Sequence, residues 1–245
     1  LGRKLLLILA GALFTLSAFG TGYASAFTPF VIYRILGGVG IGLASTLSPM
    51  YIAEVSPAQI RGRFVSLNQL TIVIGILAAQ IANWQIAKPV PDGFTDQQIL
   101  NSWNGQWGWR WMFWAEMIPA SVFFLLMFFV PESPRFLARQ KKDDKVLKIL
   151  GRVGGMRYAR SELSNIKETL KDHSDKLNYK ALLHPRMIPI LVVGIVLAVF
   201  QQWCGLNVVF NYAEEIFASA GYDVSDILFN IVITGSINLI FTLVA

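Results

Sequence analysis

The sequence predicts an all-α membrane protein, and three observations predict it. Over half of the 245 residues are hydrophobic (54%), only 15% are charged, and the mean hydropathy is +0.52. Soluble globular chains carry nearer a quarter charged residues. Six apolar runs of about 20 residues are long enough to cross a bilayer as helices: Leu5–Ala24, Pro29–Ile52, Phe64–Ala87, Trp111–Val130, Ile188–Phe210 and Ile227–Ala245. The segments between them sort by charge. Arg3-Lys4, Arg61-Gly62-Arg63 and a polar block at 135–186 alternate with segments nearly free of basic residues at 24–29, 88–110 and 211–226. The last of these carries Glu214, Glu215, Asp223 and Asp226. Cytoplasmic loops concentrate Lys and Arg, so Leu1 is expected inside, and residues 88–110 and 211–226 outside.

The net charge of +6 does not call for a nucleic-acid partner, because 14 of the 21 Lys and Arg lie between Arg135 and Arg186. That clustering is what an inner-side loop requires. The single Cys204 excludes an internal disulfide. Leu1 opens in a loop and Ala245 stands inside an apolar run, so the sequence reads as a piece of a longer membrane protein. The block from Pro131 to Pro185 is too polar to span. Lys142–Leu150 and Ser161–Leu170 have helical spacing, broken by Gly151, Gly154 and Gly155. They are expected to be short surface helices that bury little core.

Polar residues inside the spans are the candidates for function, since hydrocarbon offers them no partner. Gln201, Gln202, Gly205 and Asn207 lie within one run; carboxamides donate and accept, which suits an uncharged polyhydroxylated solute. On the third span Gln69, Gln80 and Asn83 fall on one face, eleven and fourteen residues being close to whole helical turns. Lining an interior path and bonding between helices both fit that stripe. Asn238 on the last span gives a weaker signal of the same kind. Arg34, always charged, needs a facing carboxylate unless it snorkels to the outer interface. Glu116 is one candidate, and a residue on helices preceding Leu1 is another. Such a pair would act as a proton switch, since protonating the carboxylate releases the guanidinium.

Glycines at 37, 38, 40 and 42 sit inside a span with no preceding strand, so they are read as close helix packing through Gly38 and Gly42, not as a dinucleotide loop. Trp103, Trp107, Trp109, Trp111 and Trp114 fit an outer interfacial belt. At the inner ends, Glu54 with Arg61, and Glu132 with Arg135, are candidates to latch one state of a moving bundle. No zinc motif, nucleophile elbow or phosphate loop is present, so neither an enzyme, a metal nor a cofactor is expected.

Taken together, Arg34-x-x-Gly37-Gly38-x-Gly40-x-Gly42, Pro49-Met50-Tyr51-Ile52-Ala53-Glu54, Arg61-Gly62, Leu67-Asn68-Gln69-Leu70, Gly108-Trp109-Arg110, Pro131-Glu132-Ser133-Pro134-Arg135 and Gln201-Gln202-x-x-Gly205-x-Asn207 resemble the sugar porter family of the major facilitator superfamily. Within it, Gly108-Trp109-Arg110-Trp111-Met112-Phe113 and Glu116 are most similar to the proton-coupled D-xylose carriers. The resemblance implies a twelve-helix fold of two six-helix halves, of which this chain holds helices three to eight. Residues 1–130 would then belong to the N-terminal half, 131–186 to a cytoplasmic helical linker and 187–245 to the C-terminal half. It implies that Gln69, Gln201, Gln202, Asn207 and Asn238 bind a monosaccharide between the halves, with Gly205 loosening the helix there. Protons would be the coupled ion, and a bacterial inner membrane the location. A passive facilitator and a non-transporting sugar receptor are the competing expectations. One departure stands out: the family often has two adjacent Tyr after the Gln-Gln motif, and this chain reads Asn211-Tyr212.

Overall fold

An apolar chain that meets no water must satisfy its backbone amides internally, and the α-helix does so within a single segment. In a computed structural model of the chain, all regular structure among the described residues is helical. Those residues are 2–90, 95–172, 184–185, 187–222 and 224–244. Parts of the expected outer loops and linker, at 91–94, 173–183, 186 and 223, lie outside them, as do Leu1 and Ala245.

The chain runs through α1 (Arg3–Tyr23), α2 (Phe27–Val55), α3 (Arg61–Ile86) and the short α4 (Asp96–Asn101). A π-helical turn (Asn104–Gly108) leads without a break into α5 (Trp109–Phe129). Then come α6 (Pro134–Arg139), α7 (Asp143–Asp172), α8 (Ile188–Trp203), α9 (Leu206–Asn211), α10 (Ala213–Ser219) and α11 (Val224–Val244). Among the described residues, five helical stretches are long and apolar enough to cross a membrane: Arg3–Tyr23, Phe27–Val55, Arg61–Ile86, Asn104–Phe129 and Asp226–Val244. The sixth expected span is different. Instead of one helix from 188 to 210, α8 stops after 16 residues and α9 follows it. The cause is Gly205, whose φ of 76° is left-handed and ends the α8 ladder. Arg61 and Arg63 also lie inside α3 rather than in the loop before it. Two cations at a helix N-terminus oppose the helix dipole, a local cost that α3 bears.

Packing centres on α1, which α2 and α5 both cover. Its buried face is mostly small: Ala10, Gly11, Ser17, Ala18, Gly20, Thr21 and Gly22. Small residues let helices approach in lipid, where dispersion rather than water expulsion drives association. A Cβ on Gly11 would stand 3.0 Å from the Phe124 Cα, and one on Gly40 would stand 3.2 Å from the Phe14 ring. The glycines of α2 that make close contacts are Gly37, against Ser17, and Gly40. Gly38 and Gly42, expected from their spacing to pack, have no atom within 4 Å of an added Cβ. Spacing placed a packing stripe on this helix but misjudged its face by about one residue, roughly 100° of rotation.

The polar block also differs from expectation. α7 is one run with a single break at Gly155 (φ 80°, ψ 170°), while Gly151 and Gly154 stay within the helix. It folds back on itself and on α6 to bury Leu137, Val146, Leu150, Ala159, Leu163 and Ile166. Val146 and Leu150 are 0% and 1% exposed, so this block has a real core of its own.

Two outcomes check this packing in the complete protein. Gly11→Ala should lower thermal stability by about 1–3 kcal/mol through overpacking, whereas Gly42→Ala should be neutral or gain up to about 1 kcal/mol. Unfolding midpoints in detergent read both. Leu150→Ala should cost about 2–5 kcal/mol of local stability, seen as faster amide exchange confined to 134–166.

Candidate functional site

Arg34, eight residues into α2, and Glu116 on α5 line one cavity of about 460 Å³ between α1, α2 and α5. Phe14, Ser17, Ser48 and Phe123 complete its wall, with Gly37 and Gly38 keeping its floor open. The Arg34 guanidinium rests 5.2 Å from the Phe113 ring centroid, a cation–π contact that offsets part of its removal from water. Among the described residues no ion pair within 4.0 Å joins Arg34 to Glu116. Both groups nevertheless face the same space at bilayer depth, where charges act on each other over longer distances than in water. Ser48 donates to Asn68 Oδ1 at 3.2 Å and so ties this cavity to α3.

The carboxamides are spread over four helices. Gln69 is exposed on α3 and Asn238 is half-buried on α11, and these two helices pack together. Gln201 and Gln202 occupy the last turn of α8, just before the Gly205 break, on a helix with no buried side chain. The side chain of Asn207 lies outside the described residues, although its backbone begins α9. The structure therefore joins the helices of Gln69 and Asn238, while Gln201 and Gln202 stand on a separate, uncovered helix. Gln80, on the same stripe as Gln69, is placed differently, with its Oε1 buried.

At the inner end, Glu54 and Glu132 do converge, but not on the cations expected. Arg3 Nη2 meets Glu54 Oε1 at 3.2 Å, and Ser133 Oγ donates to Glu54 Oε2 at 2.5 Å. Glu132 Oε1 accepts from the backbone N–H of Lys4 at 3.1 Å and of Ser133 at 2.9 Å. Tyr51 donates its hydroxyl to the Pro131 carbonyl at 2.9 Å. Ser133 is fully buried and also caps α6, accepting from Phe136 N at 3.4 Å with Pro134 at the first helical position. Arg61 instead faces the linker. Burial and Glu162 push the Tyr158 phenol up, and Arg61 beside it pulls it back. Arg135 is exposed on α6. Sequence reasoning used Arg3 and Lys4 only as charge markers and passed over Ser133 and Tyr51; their places inside the quoted motifs were the only signal.

On the outer side Arg110 donates through one Nη1 to the carbonyls of Gly22 (2.8 Å) and Ala24 (2.7 Å), capping the C-terminus of α1. Lys88 lies 4.3 Å from the Trp103 ring centroid, and Trp103 Nε1 donates to the Ile86 carbonyl at 3.3 Å. Among the described residues no group of three or more His, Cys, Asp or Glu is placed to hold a metal ion.

The chain is similar to known proteins along its whole length. A model of the family described as sugar (and other) transporters matches residues 1–245. The chain is 42% identical over 246 residues to a glucose transport protein of Synechocystis sp., covering 100% of this chain and 51% of that protein. It is also 42% identical over 224 residues to the D-xylose-proton symporter of Escherichia coli, covering 91% of this chain and 43% of the relative. Among solved structures, the proton:xylose symporter XylE of E. coli bound to 6-bromo-6-deoxy-D-glucose superposes with a TM-score of 0.81 at 38% identity, covering 99% of this chain and 52% of that one. The chain thus spans about half the length of the relatives it matches. With its helical spans, its inner charge cluster and this match from end to end, the chain belongs to the sugar transporter family of the major facilitator superfamily.

Proposed function

We propose that this chain forms the central part of a carrier that moves a monosaccharide, D-xylose or a related sugar, together with protons by alternating access. The observation that carries the reading is Arg34 and Glu116 facing one cavity among membrane helices. A carboxylate that holds a guanidinium when charged, and lets it go when protonated, converts proton binding into a change of helix packing. The names of the E. coli relatives support the sugar and the proton alike.

In this reading residues 1–130 contribute to the first half, 131–186 form the inner linker and 187–245 contribute to the second half, in a bacterial inner membrane. Gln69, Gln201, Gln202, Asn207 and Asn238 bind sugar hydroxyls, each amide offering a donor and an acceptor. Arg34 and Glu116 couple the proton. The Glu54–Arg3–Ser133 and Glu132–Lys4 contacts hold the inner ends of α1 and α2 to the linker, so the linker follows the first half as it moves. Arg61 and Arg135 remain for contacts made in another state. A second reading, uncoupled facilitation with the same sugar site, is favoured by one feature: Arg34 rests on Phe113 rather than on a carboxylate.

Uptake of labelled xylose and glucose into proteoliposomes holding the complete protein separates these readings. Accumulation above equilibrium only under an imposed proton gradient is expected; equilibration that ignores the gradient would leave the facilitator. Glu116→Gln should abolish gradient-driven accumulation while preserving sugar exchange. Gln201→Ala, removing one hydrogen-bonding group, should raise KM by about 3–10-fold, the value of a single net hydrogen bond.

A further inference from the structure

α3 and α11 run antiparallel and pack along a seam. Near its outer end the rings of Trp84 and Phe229 lie 5.7 Å apart, tilted by 47°. One turn deeper on α3, Gln80 lies against Gly235, which is buried. A Cβ on Gly235 would overlap Gln80 Oε1 outright and stand 3.3 Å from Leu77 Cδ1. Glycine is thus what allows the two helices to close this far. Gln80 Oε1 is itself buried there, with no hydrogen-bond donor among the described residues. An amide oxygen held away from donors disfavours the arrangement that holds it, and movement that brings it a donor relieves that cost.

We propose that Gln80 is a positioning residue that limits how long the α3–α11 seam stays shut during sugar exchange, with Gly235 supplying the space it occupies. The inference rests on the transport reading above, in which α3 and α11 belong to opposite halves that move relative to each other. In the shut seam the Gln80 carbonyl has no donor among the described residues. As the seam parts, water or a sugar hydroxyl donates to it, so the residue biases the seam toward opening. Gln69, on the same stripe but exposed, carries no such bias. The assignment separates two amides of like chemistry into a binding residue and a timing residue.

The test uses the complete protein in proteoliposomes with two independent readouts. One is counterflow of labelled xylose. The other is cross-linking of Trp84→Cys to Phe229→Cys by a short bifunctional thiol reagent, with Cys204→Ser and any other cysteine removed. Gln80→Met keeps the length of the side chain and deletes the carbonyl. It should slow counterflow and raise cross-linking, each by about tenfold, the order expected for one orphaned acceptor, while equilibrium sugar binding stays within about threefold. Gly235→Ala should depress both readouts; adding Gln80→Ala should restore cross-linking, because the clash has gone, while counterflow stays slow as in Gln80→Met. Unchanged counterflow and cross-linking in Gln80→Met would overturn the proposal, and that variant decides the matter even if Gly235→Ala fails to fold. Failure of the second substitution to restore cross-linking in a folded Gly235→Ala would also overturn it. A wild-type protein that moves no sugar would defeat the transport reading alone, because cross-linking reports on the seam without sugar.

Discussion

The close approach of α2 and α5 to α1 is the contact on which the rest of the structure depends. In lipid there is no water to expel between helices, so affinity comes from backbone proximity, and proximity needs small side chains. Gly11, Ser17, Ala18, Gly20 and Gly22 on α1, with Gly37 and Gly40 on α2, provide it. The Arg34–Glu116 cavity lies between these same three helices. Arg110 fixes the outer end of α1 through two carbonyls, and Glu132 and Glu54 fix its inner end through Lys4 and Arg3. A helix pinned at both ends and packed along its length is a rigid reference against which other parts can move.

The inner cluster is better understood as a geometric device than as a source of stability. The Arg3–Glu54 pair is partly buried, so desolvation offsets much of its Coulombic gain. What distinguishes this one is Ser133, fully buried and bonded at once to Glu54 and to the N-terminus of α6. Through that residue a carboxylate on α2 is tied to the start of α6. α6 and α7 share an apolar core of their own, so α6 is held to a packed body rather than to a loop.

Much of the architecture was legible because its causes are local. The five full-length spans follow from runs of apolar residues, and the Gly155 break from glycine's access to left-handed backbone. Arg34 drew notice because a charge in a span demands an answer from some other group, and Glu116, one of the candidates for it, lines the same cavity. What was not legible depends on rotation and on contacts between distant segments. Periodicity put glycines on one side of α2 but could not tell Gly37 and Gly40 from Gly38 and Gly42, which differ by only one or two positions. Arg3 was indistinguishable from any inner-side cation until folding brought it to Glu54, 51 residues away. Gln80 shared a stripe with Gln69, and only the nearness of Gly235 shows that the two amides sit in unlike surroundings. The linker's core was underestimated because its helices alone have weak apolar faces, which become a core only when α6 and both arms of α7 close together.

The left-handed turn at Gly205 reaches beyond helix geometry. Ending a helix inside an apolar segment removes the next-turn amides from its final carbonyls. Here the Gln201 carbonyl is met by the Cys204 thiol at 2.9 Å, and a thiol is a weak donor. Main-chain oxygen at such a point is an acceptor that no side-chain replacement deletes. An alanine scan of α8 and α9 would register the amide groups of Gln201 and Gln202 while remaining blind to the peptide groups between them. The polarity of this stretch is therefore partly written in the backbone, where mutation has little purchase and only a change in chain direction can erase it.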